Sequence, residues 1–202
     1  KVFLLGNSHA DSIKKVFSNS MDINNLSTFF FVANNPLMIP RYSSSSILND
    51  INRLDISYVV IHFSPEFYTG KAYVAELEEF IIKLDEDEIP FALIAPVPTF
   101  EFNVPKALYE INLKTDTYSQ SQDLASPKNL NPYFFDFING NSLITKDNTF
   151  YPYDYLCKKN NKCLMILDGK PLYYDKDHLS LTGSNELKML FKKIVNEINK
   201  YD

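Results

Sequence analysis

Four short runs of almost unbroken apolar residues constrain this chain more than any other feature of its sequence. They occupy residues 2–5 (VFLL), 27–33 (STFFFVA), 58–63 (YVVIHF) and 91–95 (FALIA). A strand with one wet face alternates polar and apolar side chains, so a strand apolar at nearly every position has to be covered on both faces. Helical spacing separates the runs. Ile13, Val16 and Phe17 share a face after the first run, and Val74, Leu77, Phe80, Ile81 and Leu84 form a stripe after the third. Strands and helices alternating in this way predict a parallel sheet with helices on both sides.

The remainder is less regular. Residues 100–155 are dominated by Asn, Ser, Pro and Tyr, which predicts mostly loop with one short helix near 106–113. Residues 163–167 are a strand candidate, and Asp168-Gly169 is a strong hairpin-turn signal ahead of residues 170–174. Leu187, Leu190, Phe191, Ile194, Val195 and Ile198 predict a last amphipathic helix. With no repeat, low-complexity tract or linker, residues 1–202 read as one α/β domain. No apolar run reaches the roughly 18 residues of a membrane span. The opening run is also too short for the core of a signal peptide. The chain therefore reads as an excised domain or mature segment, with any export signal outside it.

The net charge of −5, with no Lys/Arg block longer than a pair, argues against nucleic acid as a partner. In an open parallel sheet, ligands bind beyond the carboxyl ends of the strands. Ser8 stands there, between the first run and a helix whose first N–H groups lack internal partners and can stabilise an anion. A serine nucleophile needs a base, and the base needs an orienting group. Of the three histidines, His9 adjoins Ser8 and should point away from it, while His62 has only Glu66 as a nearby carboxylate. His178 follows Asp175 by three positions, so the carboxylate can curl under the imidazole and leave Nε2 free for a serine. Taken alone, this spacing also suits a polar helix entry. Cys157 and Cys163 read either as two unrelated thiols or as a staple across a polar loop, and no histidine lies near enough for a zinc site.

Gly6-Asn7-Ser8-His9-Ala10 resembles the first motif of the SGNH (GDSL-like) hydrolase superfamily, and Asp175-x-x-His178-Leu179-Ser180 resembles its last. The likeness narrows to the SGNH domains at the C-terminus of membrane-bound acyltransferase-3 proteins. Pro96-Val97-Pro98 with Phe102-Asn103-Val104-Pro105 looks like that group's segment after the fourth strand. Leu156-Cys157…Cys163…Gly169…Leu172-Tyr173-x-Asp175-x-x-His178-Leu179-Ser180-x-x-Gly183 looks like its C-terminal signature.

The resemblance implies a flavodoxin-like three-layer α/β/α sandwich around a parallel sheet, with Ser8 as nucleophile, His178 as proton relay and Asp175 orienting it. It also implies a Cys157–Cys163 disulfide, a periplasmic location, and no metal or organic cofactor. The implied activity is acyl transfer through an acyl-serine to a sugar hydroxyl of a surface glycan such as lipopolysaccharide O-antigen. A membrane acyltransferase-3 domain would deliver the acyl donor. A carbohydrate acetylesterase would use the same triad. A third reading is a non-catalytic glycan-binding module, with sugars stacked on Tyr133-Phe134-Phe135 or Tyr151-Pro152-Tyr153, although such aromatics more often pack internally. An α/β-hydrolase is disfavoured, since no Gly-x-Ser-x-Gly elbow occurs. Three positions depart from the superfamily pattern. Asn7 stands in place of Asp, no glycine marks the second block near Asn34-Asn35-Pro36, and no asparagine marks the third near Ser64. Expected oxyanion donors are the Ser8 N–H and one group from Asn34, Asn35 or Ser64.

Overall fold

Each of the four apolar runs forms a strand of one sheet in the computed structural model, which describes residues 1–38, 42–115, 124–125, 131–158 and 162–201. The strands are Val2–Gly6 (β1), Thr28–Val32 (β2), Tyr58–His62 (β3) and Phe91–Ile94 (β4), joined by a fifth, Thr149–Phe150 (β5). Their order is β2-β1-β3-β4-β5 and every pairing is parallel. This is the flavodoxin-like order, whose switch point lies between β1 and β3. β2 departs from the expectation of full burial: it is an edge strand, half-buried along its length, with Phe30 exposed.

Side-chain alternation along the strands divides the interior into two half-cores. Val2, Leu4, Tyr58, Val60, Ala92 and Ile94 face the helices Ser8–Asp22 (α1) and Lys188–Ile198 (α7), where the Phe17 and Phe191 rings meet edge to face at 5.5 Å. Phe3, Leu5, Val59, Ile61 and Leu93 face Ser44–Leu54 (α2), Lys71–Glu86 (α3) and Pro132–Gly140 (α5). Burying each such side chain is worth about 1.5–3 kcal/mol, so the continuous apolar runs are what hold a three-layer sandwich together. Among the described residues, no helix is long and apolar enough to cross a membrane.

The expectation of mostly loop across 100–155 needs correcting. The helix expected at 106–113 is Val104–Thr115 (α4), and the same stretch also holds α5 and β5. Residues 116–123 and 126–130 of that stretch lie outside the described residues. The last helix stands where its apolar spacing placed it, as α7, and a short additional helix, Leu181–Asn185 (α6), capped by Ser180, precedes it. The hairpin is present, with Ile166–Leu167 antiparallel to Lys170–Pro171. Its turn residues Asp168 (φ 48) and Gly169 (φ 74) are both left-handed, as a two-residue turn of this kind demands.

Cys157 and Cys163 form a disulfide across the antiparallel pair Cys157–Lys158 and Lys162–Leu164. Most of the polar loop between them, residues 159–161, lies outside the described residues. Replacing both cysteines with serine is expected to destabilise the fold by about 2 kcal/mol on the loop-entropy account. Urea unfolding of the variant against the oxidised parent measures it, with equal midpoints counting against that contribution.

Candidate active site

The turn from β1 into α1 is closed by two residues with different tasks. Gly6 lies so near β3 that a Cβ there would stand 2.0 Å from the His62 carbonyl oxygen and 2.5 Å from the Ala10 Cβ. Asn7 caps α1, its Oδ1 accepting from the His9 N–H at 3.2 Å. The same Oδ1 accepts from the Ser64 N–H at 3.2 Å, and Nδ2 donates to Ser64 Oγ at 3.0 Å. Asn7 therefore clamps the carboxyl end of β1 to the segment after β3, and its amide both accepts and donates. An ionised aspartate could only accept. That gives the departure at Asn7 a physical role.

Ser8 opens α1 and is exposed, while its neighbours on both sides are at least partly covered. Its Oγ lies 2.8 Å from Nε2 of His178. The His178 loop is anchored from several sides. Asp175 Oδ1 accepts the backbone N–H groups of Asp177 (2.9 Å) and His178 (2.8 Å), and Oδ2 lies 2.9 Å from His178 Nδ1. The Phe100 N–H donates to the Lys176 carbonyl and the Val104 N–H to that of Asp175, which ties the loop to the start of α4. Ser184 Oγ donates to the Ser12 carbonyl at 2.8 Å and so joins α6 to α1. The three residues expected from sequence are thus brought together.

A fourth, Asp177, was missed. Its side chain is only 8% exposed, and its Oδ1 lies 2.9 Å from the same Nδ1 of His178. Nδ1 carries one hydrogen and faces two carboxylates, with hydrogen-bond alignment to Asp175 and ion-pair proximity to Asp177. The Asp-x-Asp-His run was visible in the sequence, but nothing in the spacing says which aspartate is buried. The His178 pKa is pushed up to about 9, chiefly by Asp177; burial opposes the shift and Asp175 adds to it. Burial tends to raise the Asp175 pKa, but the two backbone N–H donors and His178 outweigh it and bring it down to about 2.

The other two histidines take different places. His9 is buried, and its ring lies 4.5 Å from that of His178, centroid to centroid. Burial, followed by the nearby His62 and His178, lowers its pKa well below the ordinary value and keeps it neutral. His62 is fully buried, its Nδ1 is 3.2 Å from the Ile94 carbonyl, and burial lowers its pKa to about 4. The side-chain nitrogen and oxygen atoms of His9, Asp177 and His178 lie within 4.8 Å of one another, so the three form one compact cluster beside Ser8.

Of the oxyanion candidates, Ser8 has a first-turn N–H with no hydrogen-bond partner among the described residues. Asn35 and Ser64 line a cavity of about 160 Å³ together with Asn7, and Asn34 is not among the lining residues. Asn35 is held by Tyr73, whose hydroxyl donates to Oδ1 at 3.2 Å. The Ser64 N–H is already given to Asn7, which leaves its hydroxyl. The aromatic runs mostly pack internally. Phe134 is buried against Tyr68, and Phe135 stacks on Tyr151. Tyr133 is the exposed exception.

The profile of a family described as "SGNH domain (fused to AT3 domains)" matches residues 1–193. No curated protein matches the chain by sequence. Solved structures share the fold at low identity. One is the periplasmic domain of a lipopolysaccharide acetyltransferase from Salmonella ser. Paratyphi A (TM-score 0.72, 20% identity, 98% of this chain and 83% of that one). Another is a GDSL-like lipase from Bacteroides thetaiotaomicron (0.55, 14%, 97% and 87%). A third is an acetyl xylan esterase (0.54, 15%, 96% and 98%).

Proposed function

The chain belongs to the family of SGNH domains fused to AT3 domains, and from that membership we propose that it is a serine-dependent O-acyltransferase domain acting on a bacterial surface glycan. The observation that carries the reading is the linkage of Ser8 Oγ to His178 Nε2 at 2.8 Å, and of His178 Nδ1 to Asp175 at 2.9 Å. Neutral His178 takes the Ser8 proton as Oγ attacks the acyl carbonyl carbon. The carbonyl oxygen becomes an oxyanion, met by the Ser8 N–H and the side-chain NH₂ of Asn35. Collapse expels the donor's oxygen, which leaves with the proton held on Nε2, and the acyl group remains on Ser8. A sugar hydroxyl then gives its proton to Nε2 and attacks the acyl-serine. The second collapse returns the proton to Ser8 and releases the sugar ester.

The glycan reading draws on the likeness to a lipopolysaccharide acetyltransferase domain, and an O-antigen sugar is the proposed acceptor. The acyl donor is delivered by the AT3 membrane domain. The Cys157–Cys163 bond supports a periplasmic location, since such bonds persist in oxidising compartments. Hydrolysis would differ only in water replacing the sugar, and the acceptor decides between them.

The test compares surface-glycan O-acylation, by mass spectrometry of the polysaccharide, in cells carrying the AT3-fused protein with Ser8 intact or as Ser8→Ala. Acylation that depends on Ser8 is expected. Acylation unchanged by Ser8→Ala, together with rapid acetate release from acetylated polysaccharide by the isolated chain, would instead assign a deacetylase.

A further inference from the structure

The proposed mechanism uses Asp175 and leaves a buried carboxylate beside it without a task. We infer that Asp177 is a second positioning carboxylate for His178, one that stabilises the imidazolium and thereby restrains the site at neutral pH.

The geometry distinguishes the two aspartates. Asp175 is 41% exposed and divides its oxygens among two backbone N–H groups and the ring. Its charge is screened by water and partly committed to the turn. Asp177 is enclosed, and a charge acts more strongly through a poorly polarisable surrounding than through solvent. A buried carboxylate without a cation is costly, so it favours whatever cation lies nearest. Lys176 Nζ is 3.8 Å away on a largely exposed side chain, whereas His178 Nδ1 is at 2.9 Å. Asp177 and a protonated His178 therefore stabilise each other.

Beyond Asp177 itself and Asp175, which adds to the effect, no further carboxylate among the described residues pairs with the ring. His9, from α1, stays neutral through burial and disfavours a second positive charge. Glu66 lines the cavity beside Asp177 and Lys176 and also the one shared by Asn7, Asn35 and Ser64, but among the described residues it forms no ion pair with His178. The upward shift of His178 agrees with the geometry, with Asp177 its largest cause.

The consequence runs in two directions. A general base must be neutral to act, and with a pKa of about 9 only about one His178 in a hundred is neutral at pH 7. Once the serine proton has been taken, the same carboxylate stabilises the cation that forms. Activity should rise with pH through about 9 and then level off. At neutral pH the acyl-serine is thus protected from water, which also needs the base, while a positioned sugar hydroxyl gains from proximity.

The test has two readouts, and only the kinetic one rests on the role proposed above for Ser8 and His178. The first is the His178 titration, followed by NMR of the ring Cε1–H in the parent chain, Asp177→Asn and Asp175→Asn. The second is kcat/KM for p-nitrophenyl acetate against pH. Asp177→Asn should lower the His178 pKa by about one unit or more, equivalent to a tenfold change in the protonation equilibrium. The acid limb of the rate profile should follow it, so hydrolysis at pH 7 rises several-fold. An unchanged His178 pKa in Asp177→Asn overturns the inference. A lowered pKa with an unmoved rate profile sustains the hold of Asp177 on the ring and overturns His178 as the base. If Asp177→Asn does not fold, Asp175→Asn decides: with Asp177 in place His178 should still titrate above its ordinary value, and titration at or below that value rejects the inference.

Discussion

Ser8→Ala is expected to remove acetyl-ester turnover, with kcat lowered by about 10⁴-fold or more, and His178→Ala is expected to do the same. The two side chains act on one proton, so the double variant should be no worse than either single one. Asp175→Ala should keep more activity than either, because Asp177 still lies against Nδ1. Ser8 is exposed and supports no core contact, so its replacement should leave the thermal midpoint where it was. Steady-state assays paired with melting curves separate lost chemistry from lost structure. Parent-like turnover in Ser8→Ala would remove the nucleophile from the mechanism.

Gly6→Ala should be one of the two most damaging glycine substitutions in the fold, alongside Gly183→Ala, where a Cβ would stand 2.1 Å from the Leu172 carbonyl oxygen. At Gly6 the added carbon meets backbone at 2.0 Å, and a carbonyl oxygen inside a sheet cannot swing aside as a flexible side chain can. Forcing β1 and β3 apart costs about 3 kcal/mol, at the upper end of ordinary overpacking. For a chain of this length that lowers Tm by roughly 6–12 °C. Whatever folds should also be impaired, since Ser8 lies two residues on and a displacement near 1 Å can cost about 10²-fold in rate. Gly140→Ala is the control, because a Cβ there meets nothing within 4 Å. Differential scanning calorimetry of the two variants should separate them clearly, and equal midpoints would refute the close-approach account.

The parts that were legible in the sequence are those whose burial is dictated locally. β1, β3 and β4 could be read because strands covered on both faces are apolar at almost every position, with the fully buried His62 the exception. Asp175 and His178 could be read because one turn of chain brings them together. α2 gave little warning: it begins in a serine run and buries only Ile47, Leu48 and Ile51 fully among its apolar residues, with Leu54 partly buried at its end. α5 is rich in aromatic residues of modest helix propensity and takes its place through Phe134 and Phe137 packing on Tyr68. β5 is two residues long, too short for any period to show, and it is defined by its pairing with β4. Asp177 belongs with these, since its enclosure comes from the fold around it and not from its neighbours in sequence.

Ser8 and His178 meet across 170 positions of chain. Contacts of such separation carry the largest loop-closure cost and tend to form late in folding. On the proposed mechanism, a nascent chain therefore exposes Ser8 long before the histidine that would activate it has been synthesised. Reactivity through Ser8 should then arrive only when the C-terminal loop docks on α1, after the sheet that supports both ends has assembled. Recovery of esterase activity on dilution from urea should thus lag behind recovery of helical signal, which makes turnover a reporter of the last stage of folding.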